Sequence, residues 1–180
     1  MILGLDISTS ITGATIIKDN EIIYSEAWDL RNKNKYPDMY AKAKFIVDKL
    51  QDIDDYYNVK EIYIEKSLQM FRSGFSSAKT LSILASFNGI VSFLCYQELG
   101  IKPEYISASS ARKACGIKIP KGQKAKQVVL QYLLDNEPAF KIEYTKHGNP
   151  KPESYDRADA IVIAKAGWAI EQSSSEEDPE

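Results

Sequence analysis

Apolar residues crowd the start of the chain. Ile2, Leu3, Leu5 and Ile7 flank a single acid, Asp6, which predicts a short buried strand over residues 2–8. Ser8, Thr9, Ser10 and Gly13 supply turn chemistry, and residues 14–17 resume as a second strand. Asp19-Asn20 suits a hairpin turn, and residues 21–28 follow as a third strand, completing an antiparallel three-stranded meander. Tyr40, Ala43, Val47 and Leu50 then recur at three- and four-residue spacing, predicting a helix over residues 36–53. Residues 61–65 return to strand, and a long helical pattern over 76–99 stops at Gly100. A fifth short strand is expected at 104–107, a short helix at 108–116, and a stronger helix at 124–134 after the Pro120-Lys121-Gly122 turn. Residues 135–153, with Pro138, Gly148, Asn149, Pro150 and Pro152, read as a loop, and 155–169 as a closing helix. The Ser- and acid-rich residues 173–180 are expected to form a disordered acidic tail. No repeat or linker divides residues 1–172, which are read as one βββ-α-β-α-β-α domain.

Composition narrows the class. The 180 residues are 44% hydrophobic and 27% charged, as in one globular domain. No apolar run approaches the ~20 residues that span a bilayer, and the N-terminus lacks the basic region of a signal peptide. An intracellular, cytoplasmic protein without membrane contact is expected. Two cysteines, Cys95 and Cys115, cannot build a disulfide framework and read as reduced thiols; no Cys/His cluster has zinc spacing. The net charge of −2 is unevenly spread, for residues 102–151 hold 10 Lys and Arg against 4 acids. Fields act locally, within a Debye length of about 8–10 Å, so this basic third counts for more than the total. On charge alone, a lysine face that only keeps the protein soluble is the simpler reading.

Four acids change that picture. Asp6 interrupts an apolar strand, Glu65 ends another, and Asp156 and Asp159 lie three apart on one face of the closing helix. An ionised carboxylate drawn into a sheet core is costly unless something positive compensates it. A hard divalent cation such as magnesium or manganese does so, and converging carboxylates are what two such ions need for phosphodiester hydrolysis. Each acid also has a plainer reading: Asp6 paired with a lysine, Glu65 exposed at a strand end, Asp156 and Asp159 as helix caps. The argument rests on their combination.

At these residues a resemblance enters. Gly4-Leu5-Asp6-Ile7-Ser8-Thr9-Ser10-Ile11-Thr12-Gly13 resembles the first-strand motif of RuvC-type Holliday junction resolvases, in the ribonuclease H-like superfamily. Ile62-Tyr63-Ile64-Glu65-Lys66 is similar to their second acidic strand, and Tyr155-Asp156-Arg157-Ala158-Asp159-Ala160-Ile161-Val162-Ile163-Ala164 to their closing helix. Ala111-Arg112-Lys113-Ala114-Cys115-Gly116-Ile117 and Lys124-Ala125-Lys126-Gln127-Val128 resemble the family's DNA-contacting stretch. The resemblance implies an α/β ribonuclease H-like fold: a five-stranded mixed sheet, an antiparallel meander plus two parallel strands, flanked by helices. It implies Asp6, Glu65, Asp156 and Asp159 as catalytic metal ligands for two Mg2+, with Mn2+ as a substitute and no nucleotide cofactor. The implied activity is symmetric nicking of four-way junctions by a homodimer, leaving 5'-phosphate ends. Phe71, Arg72 and Phe75 would meet bases and phosphates at the junction core, and Arg112, Lys113, Lys118, Lys121, Lys124 and Lys126 the phosphates of the arms. Ala78, Ser82, Ala85 and Gly89 form a small-residue stripe that would suit either a dimer contact or packing on the sheet.

The 135–153 loop, with Lys141, Lys146 and His147, is longer than the bacterial pattern, and the acidic tail has no counterpart in it. His147 reads as a surface loop residue. Size, low isoelectric point and Lys/Tyr/Ile content suggest a phage or viral source acting in a host cytoplasm. Three other readings stay open: a ribonuclease H-like nuclease of RNA–DNA hybrids, flaps or branched DNA; an actin-like or sugar-kinase-type ATP-binding domain, for which 180 residues leave no second lobe; and a binding module without catalysis.

Overall fold

A computed structural model of the protein describes residues 1–66 and 78–176. The elements run β1 (Ile2–Asp6), β2 (Ile11–Lys18), β3 (Glu21–Asp29), α1 (Met39–Tyr57), β4 (Glu61–Glu65), α2 (Ala78–Leu99), β5 (Glu104–Ile106), α3 (Ala108–Ala114), α4 (Ala125–Asn136) and α5 (Glu153–Glu176). The strands form one sheet in the order β3-β2-β1-β4-β5. β1, β2 and β3 pair antiparallel, while β4 and β5 add in parallel. This is the expected meander followed by two parallel strands, a ribonuclease H-like sheet.

Strand alternation divides the molecule into three layers. Leu3 and Leu5 of β1 join Ile62 and Ile64 of β4 in a core closed by Ile46 and Leu50 of α1 and by Phe87, Val91 and Cys95 of α2. Ile2 and Tyr63 face the opposite way, into a second core with Ala111 of α3, Val129 and Leu133 of α4, and Ala158, Ile161 and Val162 of α5. Asp6 and Glu65 continue the alternation of Ile2 and Tyr63, so they belong to the α5 side.

α5 lies on the sheet because two positions lack a side chain. A Cβ at Gly4 would stand 2.4 Å from the backbone nitrogen of Ala164, and one at Gly13 only 2.1 Å from the backbone oxygen of Asp156. Gly13 is therefore no turn residue: it sits inside β2, opposite Asp6, and clears the approach of the helix.

Other boundaries differ from the sequence reading for local reasons. β1 ends at Asp6 and β2 already begins at Ile11, because Thr12 closes the intervening turn, its hydroxyl donating to the Ser8 carbonyl at 2.9 Å. α1 starts at Met39 rather than 36, where the Asp38 carboxylate accepts from the Ala41 N–H at 2.8 Å and caps the helix. Its buried stripe is Ala43, Ile46, Val47, Leu50 and Ile53, whereas Tyr40 is 69% exposed. α5 begins inside the expected loop and runs on through Glu176, so residues 173–176 are helical where a disordered tail was expected. There the Ser173 and Ser174 hydroxyls donate to the carbonyls of Ala169 and Ile170. α2 corrects a further expectation, since it is 22 residues long and an 18-residue stretch of it has a mean hydropathy of 1.4, enough by length and composition to cross a membrane. One side of α2, with Phe87, Val91 and Cys95, is buried in the first core. Both cysteines are free, and burial pushes the Cys95 thiol up to about 12.

Replacing Gly13 by Ala forces backbone against backbone, which no rotamer change relieves. We expect Gly13→Ala to lose about 3 kcal/mol or more of stability, read as the midpoint shift in urea unfolding followed by circular dichroism. A loss below 0.5 kcal/mol, the scale of a surface change (roughly ±0.5 kcal/mol), would contradict the close approach of α5.

Candidate active site

β1 and β4 run side by side with Leu5 opposite Ile64, so the residues that follow, Asp6 and Glu65, end neighbouring parallel strands. Asp6 is also paired with Gly13, whose missing side chain admits the first turns of α5. That helix carries Asp156 and Asp159, one turn apart, down to the same strand ends. The Lys126 ammonium reaches in from the start of α4, 3.3 Å from Asp159 Oδ2 and 3.9 Å from Asp156 Oδ1.

Electrostatics shows that the four acids share one environment. Burial, followed by the charges of Glu65 and Asp159, holds the Asp6 carboxyl well above the usual range. Burial and then Asp159 raise Glu65 to about 7, against the opposing pull of Lys126 and Arg112. Burial raises Asp156 to about 6, with Lys126 opposing and Asp159 adding. Asp159 is raised by burial, which Lys126 and Arg112 counter. Among the described residues no three acid, histidine or cysteine side chains already stand closed around a metal position. The donor set nonetheless fits a hard divalent cation: carboxylate oxygens, drawn from water and repelling one another, with positive charge in short supply.

The remaining expected residues are placed as follows. Arg112 is half-buried on α3, near enough for its charge to act on Glu65 and Asp159. Lys113, Lys118, Lys121 and Lys124 are exposed along α3, the α3–α4 connection and the entry to α4. Lys126, expected on arm phosphates, is instead engaged with Asp156 and Asp159. Phe71, Arg72 and Phe75 lie outside the described residues. His147 is exposed in the turn that the Tyr144–Pro150 bridge closes. A concavity of about 710 Å³ runs past Gln127 and Gln131 of α4, and none of the four acids lines it.

Three contributors escaped the sequence reading. Gly13 looked like a turn. Lys42 on α1 donates to the Thr9 carbonyl at 2.6 Å, tying the turn after Asp6 to the opposite layer. Glu153, one turn before Asp156, adds its charge to the site and has Arg31 Nη2 at 3.4 Å. Only Glu153 had a sequence signal, its i, i+3 relation to Asp156.

Without metal, the folded protein keeps protons on Glu65 and Asp156 at pH values where the unfolded chain has released them. Their folded values lie above the unfolded ones, so the penalty is absent below about pH 4 and complete above about pH 7, and stability falls as pH rises through that window. Glu65→Gln should therefore exceed the wild type in stability at pH 8 in chelator by about 1–3 kcal/mol, the difference closing toward about pH 4. Urea unfolding at several pH values measures this, and a difference independent of pH would refute the shared repulsion.

Neither a family model nor any curated protein sequence matches the chain. Solved structures do match in shape. RuvC of Thermus thermophilus in complex with a Holliday junction substrate superposes with a TM-score of 0.64 at 13% identity, covering 96% of this chain and 94% of that one. A second structure of Thermus thermophilus RuvC gives the same score at 13% identity, with 96% of each chain covered. The yeast mitochondrial Holliday junction resolvase Ydc2 reaches 0.63 at 16% identity, over 98% of this chain and 80% of its own. At such identities the likeness establishes the fold: nearly the whole chain has the fold of these resolvases.

Proposed function

We propose that the protein is a metal-dependent endonuclease that resolves four-way DNA junctions by paired, symmetric phosphodiester hydrolysis, leaving 5'-phosphate ends. The observation that carries this reading is the convergence of Asp6, Glu65, Asp156 and Asp159 at one end of a resolvase-type sheet. These four residues would hold two magnesium ions, for which manganese would substitute. The ions would supply Lewis-acid neutralisation of the phosphate and a lowered pKa for the attacking water. The chain's own part is to keep four oxygen donors half-buried and oriented, with Gly13 holding α5 against β1 and Lys42 holding the Asp6 turn. Arg112 adds positive charge at the rim. Lys113, Lys118, Lys121 and Lys124 face solvent where duplex phosphates would pass, so binding weakens steeply with salt.

With magnesium, the wild type is expected to place paired nicks in a labelled four-way junction and to spare linear duplex, a flap and an RNA–DNA hybrid. Asp6→Asn should abolish cutting while a gel shift still shows junction binding. Equal cutting of flaps or hybrids would identify a general ribonuclease H-like nuclease instead.

Two opposed scissile strands call for two sites, and α2 offers the contact for a homodimer. Ala78, Ser82, Ala85 and Gly89 are all exposed, so the stripe that could have packed on the sheet does not do so. Phe93 and Tyr96 on the same helix are 61% and 59% exposed. A Cβ at Gly89 meets nothing within 4 Å, so Gly89→Arg spares the protomer fold while blocking a close helix contact. We expect this variant to sediment as a monomer with unchanged far-ultraviolet dichroism, and to make single rather than paired nicks. A dimer that survives the substitution would exclude this face.

A further inference from the structure

We infer that Lys126 is the built-in counter-cation of the acid cluster: it holds the carboxylates together before metal arrives and is displaced when metal binds. The inference deepens the reading of Asp6, Glu65, Asp156 and Asp159 as metal ligands and rests on it.

Several observations converge on this residue. Its Nζ lies between two of the acids, 3.3 Å from Asp159 and 3.9 Å from Asp156, and its charge also acts on Asp6 and Glu65. Lys126 also sits where a helix does not favour it. It belongs to the first turn of α4, which has no acid there and no side-chain cap at Lys124, and the N-terminal end of a helix disfavours positive charge. The acids, not the helix, account for its placement.

The lysine is also lightly held. Its side chain keeps 60% of its surface exposed. Lys165 in the same molecule shows the opposite design: 13% exposed, 2.6 Å from Glu137 and 3.0 Å from the Asn20 carbonyl. Lys165 is fixed in place, whereas Lys126 reaches over the rim on a solvated stem and can swing back into solvent. A dication among the same oxygens and an ammonium 3–4 Å from them repel each other, so the two do not fill the cluster together. Once displaced, the ammonium stands at the mouth of the site, free for the phosphate that the sequence had led one to expect as its partner.

Titration of the full-length protein with Mn2+ alone, followed by the electron paramagnetic resonance signal of free manganese, tests this without DNA or turnover. Lys126→Met should bind Mn2+ about 5- to 100-fold more tightly than wild type, the usual range of coupling between two sites. In chelator at neutral pH it should also melt below wild type, and saturating Mn2+ should erase that difference. Lys126→Arg, which keeps the charge, should stay near wild-type affinity. If wild type binds Mn2+ and Lys126→Met binds it equally or more weakly, the counter-cation role is overturned while the metal site stands. If neither protein binds Mn2+, the reading of the four acids falls, and this inference with it.

Discussion

The helix that carries Asp156 and Asp159 reaches the strand that carries Asp6 only because nothing stands between them at Gly4 and Gly13. Both contacts are backbone to backbone, with an added Cβ at 2.4 Å or less from main-chain atoms of α5. A side chain at either position would lift the helix off the sheet and carry its two acids away from the strand ends. The second core, with Ile161 and Val162 against Ile2 and Tyr63, then fixes the rotation of α5 so that the acids face the strand ends rather than solvent. The convergence of the acids is thus a consequence of how closely one helix packs, and the packing is a consequence of two absent side chains.

The same geometry makes the site electrostatically uneasy. Apolar layers on both faces of the sheet remove water from the strands, and the acids stand where those layers end. Burial is the largest influence on each of the four; the charges of neighbouring acids come next for Asp6 and Glu65, and the opposing charge of Lys126 for Asp156 and Asp159. Such a cluster is a poor stabiliser and a good receptor for positive charge. Lys126 and Arg112 relieve part of the repulsion from α4 and α3, the two short helices that follow the parallel strands. The opposite side of the molecule is uneasy in a different way, for α2 buries Phe87, Val91 and Cys95 yet exposes Phe93 and Tyr96 to water. One end of the sheet thus concentrates negative charge, and one helix face leaves aromatic rings in water.

Strands, helices and the antiparallel meander were legible from apolar periodicity and turn residues, because β1 and β4 are apolar on both faces and α1 buries a stripe at helical spacing; the two parallel strands were expected only from the resemblance to the resolvases. The four acids were legible as anomalies, charged residues at places where charge is costly. Boundaries were less legible. Asp38 as a cap, Thr12 as the clasp of a turn and the serines that prolong α5 act through single hydrogen bonds, which leave no periodic trace. Tyr40 matched the spacing of a buried stripe and is exposed, since spacing tells which residues share a face but not where the neighbouring layer ends.

By itself, then, the sequence determined the order of elements, the two-sided burial of the central strands and the identity of the acids, all of which follow from local pattern and from the price of buried charge. Tertiary structure alone decided that Gly13 is a packing residue, that Lys126 turns to the acids rather than outward, and that the small residues of α2 face solvent. Each of these depends on what lies across a gap from the residue, on an element far away in the chain, and distance between elements is what a linear pattern does not contain.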